Sequence, residues 1–426
     1  MKSPSFSLRG AAHGFRALHN RNYRLFWFGQ MVSVAGTWMQ DTALAVLVLR
    51  LTDSPFALGL TMTIRYLPIL CFSLFGGVLA DRLPKRRTLI YVQAVQMVIA
   101  FALAALTSTD LITVELIYIL AFLRGGADAV DMPTRQAFTV EMAGPEDLHN
   151  AVALNSAQFN TARIVGPTIA GFLMLIPTIG TALCFYVNGV SFIGVIAAYL
   201  FMRESELFTA PRPPRQNAVR QVGEGLRYAA KTPDIMLVLV VMAFMGTFGF
   251  NFQTIFPLVN EYVLHGGPAG LSLLLALTGV GSVVAGLIAA YRGKPSERRL
   301  LVSAALFTVL LFAVGLSRWQ PVTAALSLLI GMASILFMTS ANTRLQLVVA
   351  GEMRGRVMGM YALLFMGTTP IGSLLVGTLA EKNGVSWTVV EMGAVCAVGV
   401  VVAIWYAVRS RRAAHAGVPG SPASSD

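Results

Sequence analysis

Residues 57–107 read ALGLTMTIRYLPILCFSLFGGVLADRLPKRRTLIYVQAVQMVIAFALAALT. Two apolar runs, 57–80 and 88–107, flank a short turn in which Asp81, Arg82, Lys85, Arg86 and Arg87 crowd together. Each run is long enough for a helix to cross a bilayer, which takes ~20 residues. In hydrocarbon a backbone must satisfy its own N–H and C=O groups, so such runs fold as helices. The turn then makes the two helices antiparallel neighbours. The pattern recurs along the chain, with further apolar windows at 25–51, 113–134, 150–176, 178–202, 235–258, 268–291, 299–317, 321–342, 356–381 and 387–408. The sequence therefore predicts an all-α membrane protein of twelve transmembrane helices.

Composition agrees. Of the 426 residues 56% are hydrophobic and 12% are charged, against roughly 25% charged in ordinary soluble domains. The net charge of +12 does not point to nucleic acid, because the basic residues form no solvated patch or helix face and lie in short loops between apolar runs. The basic first 24 residues lack an apolar region with a cleavage site, so no removable signal peptide is expected. Cys71, Cys184 and Cys396 fall in three different spans and no histidine lies mid-membrane, so neither a metal site nor a disulfide framework is expected. No cofactor is implied, and no phosphate-binding loop of an ATPase occurs.

Lysine and arginine are retained on the cytoplasmic face. With the N-terminus inside, 26 of the 32 fall in inside segments, three outside (Arg50, Arg318, Lys382) and three within spans (Arg65, Arg124, Arg163). Both termini are then cytoplasmic. The expected organisation is a tail over 1–24, a six-helix half over 25–202, a cytoplasmic linker over 203–234 with a helix-like stretch from Val219 to Lys231, a second six-helix half over 235–408, and a tail over 409–426. Gly77-Val-Leu-Ala and Lys85 echo Gly286-Leu-Ile-Ala and Lys294, and Thr134-Arg135 echoes Thr343-Arg344, both at an offset of 209 residues. Two pseudo-symmetric halves around a midplane site are a common build for secondary transporters.

The turn Gly77-Val-Leu-Ala-Asp81-Arg82-Leu83-Pro84-Lys85-Arg86-Arg87 resembles the signature loop of the major facilitator superfamily, with Pro84 where that family usually has Gly and Lys85 where it usually has Arg. Asn160-Thr-Ala-Arg163-Ile-Val-Gly166-Pro167-Thr-Ile-Ala170-Gly171 resembles the Gly-Pro motif of its proton-coupled exporters, with Ala162 and Ala170 where that motif prefers Gly. Together with Gly36-Thr-Trp-Met-Gln-Asp41, Asp131-Met-Pro-Thr-Arg135 and Arg354-Gly-Arg-Val-Met-Gly359, the chain resembles the drug:proton antiporter branch that includes the enterobactin exporter and macrolide efflux pumps. The resemblance covers roughly residues 20–410. It implies a major facilitator fold, a conformational switch at Gly77, Asp81, Arg82, Lys85 and Arg87, and close helix packing at Gly166, Pro167 and Gly171. Pro167 removes one backbone hydrogen bond, while the small residues let helices approach.

Charge inside a membrane is expensive and marks function. Arg124, Asp128 and Asp131 recur at i, i+4 and i+7 on one face of the fourth span. Asp128 and Asp131 read chiefly as partners of the Lys85–Arg87 loop, so Asp131 joins the switch. Asp41 and Arg65 lie at similar depth, roughly 12–15 Å below the outer surface, and are placed to pair. Arg163 lies near the middle of the fifth span, one turn from Asn160.

Asp41, Arg65, Arg124, Asp128 and Arg163 are thus the ion-coupling candidates. Asp41 suits a proton carrier and a helix-fixing ion pair equally. Arg124 and Arg163 suit an anion holder and a brace. Phe248, Phe252 and Phe256 recur at helical spacing beside Asn251 and Gln253. With Asn160, the residues Phe248, Asn251, Phe252 and Gln253 are the candidates for a substrate cavity, although such a stripe also suits packing or lipid contact.

The expected function is proton-coupled efflux of a small amphipathic molecule, such as a drug or siderophore, by a monomer in the bacterial inner membrane. Small-molecule substrate, protons and lipid are the expected partners, and nucleic acid is not. Import of a nutrient on the same fold is the alternative. A membrane enzyme finds no supporting motif.

Overall fold

The computed structural model describes residues 15–208, 218–291 and 296–416, with the backbone alone at 73–81, 218–222, 290–291 and 410–416. Gly77 and Asp81 fall in the first backbone-only stretch, so their side chains lie outside the described residues. Everything described is helix or connecting turn. Helices α1 (Arg21–Thr52), α2 (Pro55–Arg82) and α3 (Lys85–Ser108) follow one another through two-residue turns. At the first turn Asp53 takes a left-handed conformation (φ 46°), and its N–H bonds Leu49 O to close α1.

Helix α4 (Val114–Leu173) is 60 residues long and bends back on itself at Gly144, whose φ of 75° and ψ of 166° are not helical. The cause is local. Pro145 disfavours helical backbone in the residue before it, and glycine supplies the positive φ at little cost. Phe208 packs where a Gly144 Cβ would stand, 2.8 Å away. The apolar windows 113–134 and 150–176 leave 135–149 between two spans. Both helices instead run on past the apolar window and meet at this one residue. Polar residues that would not suit lipid serve that extension: Glu141 pairs with Lys85 at 2.7 Å, and Asp147 with Arg16 at 2.9 Å.

The first half ends with α5 (Gly180–Leu200), and α6 (Ala218–Lys231) lies in the linker. The second half begins with a broken span, α7 (Pro233–Phe244), a π-helical turn (Met245–Gly249), α8 (Phe252–Val259) and a second π turn (Asn260–Leu264). Helices α9 (Gly267–Tyr291), α10 (Glu297–Leu316) and α11 (Gln320–Val348) come next. A second broken span joins α12 (Gly351–Ala362) to α13 (Thr369–Asn383) through a π turn (Leu363–Gly367), and α14 (Val385–Ala416) closes the bundle. By length and composition, ten helices among the described residues suffice to cross a membrane. The two arms of α4, which carry most of the intramembrane charge, complete the twelve spans.

The two broken spans cross where each is irregular. A Cβ on Gly246 would stand 2.1 Å from Leu364 O, and one on Gly372 would stand 1.9 Å from Thr247 O. Asn251, at the break between the π turn and α8, donates from Nδ2 to Thr247 O at 2.7 Å and accepts from Ser373 Oγ at 3.3 Å. Irregular backbone survives at membrane depth only where such partners replace the lost hydrogen bonds.

The halves close against each other at the arginine-poor end. Glu381 of α13 accepts both Ser54 Oγ at 2.9 Å and the Phe56 N–H at 3.1 Å, while Thr63 Oγ1 donates to Pro370 O at 2.9 Å. Glycines permit that approach, since a Gly59 Cβ would come within 2.8 Å of Gly377 Cα. Tyr262 donates to Asp53 Oδ1 at 3.1 Å. Beside this seam the second arm of α4 meets α9, where a Cβ on Gly171 would stand 2.7 Å from the Ser272 side chain.

Candidate functional site

Asp41 lies in a part of α1 where every residue from Met39 to Leu49 is buried, and it is itself 5% exposed. One oxygen carries two cations. Arg124 Nη1 donates to Asp41 Oδ1 at 2.7 Å, and Arg65 Nη1 lies 2.6 Å from the same atom. The two arginines come from α4 and α2, which touch backbone to backbone there: a Cβ on Gly125 would stand 2.0 Å from Arg65 O. The two contacts differ in kind. Arg124 makes a hydrogen bond, whereas Arg65 Nη1 and Nε are buried without hydrogen-bond geometry to any acceptor. Arg65 also lies over the Tyr66 ring at 5.3 Å and reaches Asp128 Oδ2 at 3.8 Å.

Asp128 and Asp131 extend this cluster toward the arginine-rich end. Gln96 donates to Asp128 at 2.9 Å, Gln93 donates to Asp131 at 2.8 Å, and Asp131 pairs with Arg135 at 3.0 Å. Lys85 bonds Glu141, so neither aspartate is its partner here, and Arg82 and Arg87 are exposed. Four helices, α1 to α4, thus share a polar core of two carboxylates against two guanidiniums, with Asp131 and Arg135 as a neutral pair below. With both Asp41 and Asp128 ionised the upper set balances. A proton on either leaves a net positive charge that must be met by movement or by an anion.

Arg163 stands apart from that cluster. It is half-buried on the second arm of α4, with its guanidinium 5.8 Å from the ring centroids of both Trp38 and Phe252. Its Nη1 donates to Ser282 Oγ at 3.4 Å. Trp38 belongs to the first half, and Phe252 and Ser282 to the second. Two glycines create the slot: a Gly166 Cβ would stand 2.5 Å from Trp38 Cβ and 2.6 Å from Ala35 O, and a Gly279 Cβ would stand 2.6 Å from Ile164. Gly166 therefore packs α4 on α1, and Gly171 packs the same arm across the seam. Asn160 donates to Ser156 O of its own helix at 2.8 Å.

The aromatic stripe of the second half is split by the break at residues 250–251. Phe252 and Phe256 stack at 5.4 Å, whereas Phe248 lies beside Phe244 at 6.4 Å. Phe250, out of phase with the expected stripe, meets Phe252, Phe307, Phe337 and Phe365. Gln253 Oε1 is buried without a hydrogen-bond partner.

Sequence reasoning placed Asp41 beside Arg65 but did not bring Arg124 to the same oxygen. It also passed over Gln93 and Gln96, although two amides three residues apart in an apolar run are a visible signal. Trp38 and Ser282 carried no signal of their own.

A family model described as transmembrane secretion effector matches residues 12–420. The staphyloferrin A transporter of Staphylococcus aureus is 24% identical, over 87% of this chain and 92% of that protein. The multidrug efflux pump Tap of Mycolicibacterium fortuitum is 26% identical, over 85% and 90%. Macrolide efflux protein A of Streptococcus pyogenes is 23% identical, over 84% and 89%. Among solved structures, an inward-facing bacterial homolog of the human lysosomal transporter Spinster superposes with a TM-score of 0.66 at 14% identity, covering 92% of this chain and 97% of that one.

Proposed function

The chain belongs to the transmembrane secretion effector family of the major facilitator superfamily, and from that premise we propose that it exports small amphipathic molecules in exchange for protons. The observation that carries the proposal is Asp41, a buried carboxylate held by guanidiniums from two other helices. Several curated relatives are named for efflux of drugs and one for a siderophore, which supports export of compounds of that kind.

The uneven spread of lysine and arginine supports a reading with the arginine-rich end and both termini in the cytoplasm, and with the bacterial inner membrane as the site of action. On that assignment the closed seam faces outward and substrate enters from inside. Helix α2 links the seam to the carboxylate, because Thr63 bonds Pro370 across the halves and Arg65 follows two residues later. Opening the seam frees α2, draws Arg65 off Asp41 and leaves the carboxylate to take a proton from outside. Closure returns Arg65 and expels the proton inward.

The test is transport by purified protein in inside-out vesicles. Drug accumulation driven by an acid interior and collapsed by a protonophore is the expected result. Accumulation indifferent to the gradient overturns the coupling, and accumulation by right-side-out vesicles instead marks an importer.

A further inference from the structure

Among the described residues, no carboxylate lies within ion-pair distance of Arg163, although it stands at membrane depth where an uncompensated charge is costly. The three groups around its guanidinium are two aromatic faces and a hydroxyl. Rings meet the face of the cation, and Ser282 takes one N–H. A guanidinium carries five such donors in a planar fork suited to a carboxylate or another oxyanion. The side chain is half-buried, so part of it is open to a ligand between two aromatic rings.

We propose that Arg163 is the anchor for an acidic group on the transported molecule, with Trp38 and Phe252 gripping the apolar body beside it. The substrate class is then amphipathic organic anions. Both halves build the site, since Trp38 lies on α1 while Phe252 and Ser282 lie on α8 and α9. The anion therefore fills its place only when the halves are closed as seen here, and it stabilises that closed arrangement. Gly166 and Gly279 are what let three helices come this near to one guanidinium.

This inference rests on the reading of the chain as a small-molecule transporter. Its test uses 2-naphthoate and the neutral 2-naphthamide, which share a ring system and differ in charge. Calorimetry on purified protein in nanodiscs is expected to show the acid bound about tenfold more tightly than the amide, the size of one charge-assisted hydrogen-bond set. Arg163→Gln is expected to bring the two affinities together, and Arg163→Lys to keep part of the preference. Equal binding by the wild type, or a preference that survives Arg163→Gln, overturns the proposal. A thermal unfolding scan of each variant separates loss of the site from loss of the fold, and Arg163→Lys decides the matter if Arg163→Gln is unfolded.

Vesicle transport of the same pair distinguishes the two readings. Gradient-driven movement of both compounds without preference removes the anion site and leaves the exporter. Acid-selective binding with no transport of either removes the exporter and leaves the site.

Discussion

Arg124 and Asp41, 83 positions apart in the chain, meet through one hydrogen bond of 2.7 Å in the interior of the first half. Arg65 reaches the same oxygen at 2.6 Å without that geometry. We infer that Arg124, which is aligned, is the fixed partner and Arg65, in contact but misaligned, the mobile one. Arg124→Gln is expected to destabilise the protein by about 3 kcal/mol, toward the cost of breaking a buried pair, and Arg65→Gln by less. A double-mutant cycle with Asp41→Asn measures both couplings. A larger coupling to Arg65 than to Arg124 reverses the assignment of fixed and mobile partner.

Gly166 offers a second test, with a control built into the same helix. A methyl group there meets Trp38 Cβ at 2.5 Å, Ala35 O at 2.6 Å and Met39 N at 2.9 Å, and backbone atoms cannot step aside. Gly166→Ala is expected to cost about 1–3 kcal/mol and to slow transport, and Gly166→Leu to block it. At Gly126 a Cβ meets nothing within 4 Å, so Gly126→Ala is expected to stay within about 0.5 kcal/mol of wild type. Equal effects of the two alanine variants on the unfolding midpoint end the packing argument.

The twelve spans were legible because hydrophobic length and the position of Lys and Arg are local properties, and local properties survive in a one-dimensional reading. Asp41, Arg65, Arg124 and Arg163 were legible as residues for the same reason, each being a charge in an apolar run. The Asp41–Arg65 pair was legible from their shared depth, but the place of Arg124 on the same oxygen was not. Helical periodicity fixes which residues share a face, but which helices touch depends on glycines such as Gly125, and a glycine in a membrane helix has many roles. The break at Phe250 and Asn251 was hidden too, because Asn251 repairs it with its own side chain and no proline announces it. That break is why the expected stripe of Phe248, Phe252 and Phe256 is split. A half-register such as Thr343-Arg344 predicts symmetry, yet 209 positions after Arg65 and Arg124 stand Leu274 and Ala333, so the charge cluster has no counterpart in the second half.

Glu381 gives a test of the seam. It accepts a hydroxyl and a backbone N–H at the start of α2, where the positive end of the helix dipole favours a carboxylate. Glu381→Ala removes both bonds and the charge, and it is expected to shift the protein toward a state open at that end. Spin labels at Thr109 and Trp319, both exposed and on opposite halves, are expected to gain a population at longer distance. An unchanged distance distribution excludes Glu381 as a latch.

The orientation assigned to the bundle is open to a direct check. Reporter fusions after Ser108 and Gly266 are expected to report outside, and fusions after Pro84, Arg215 and Ser410 inside. Any reversal among the five breaks the span assignment and, with it, the reading of the closed seam as outward.

The last prediction concerns coupling itself. Asp41→Asn keeps the size and one carbonyl oxygen of the side chain, so it imitates the protonated carboxyl and leaves Arg124 an acceptor. It also removes the charge that holds Arg65 near α1, so α2 loses its electrostatic tie to the site. If Asp41 carries the proton, the variant binds substrate with little change yet releases no proton on binding, and gradient-driven efflux falls to background. If Asp41 only braces the bundle, binding and thermal stability fall together and any transport that remains stays proton-linked. Simultaneous measurement of binding and of proton release from purified wild type and variant separates the two. Proton release that persists unchanged in Asp41→Asn excludes Asp41 as the carrier and leaves Asp128, 3.8 Å from Arg65, as the carboxylate placed to inherit the role.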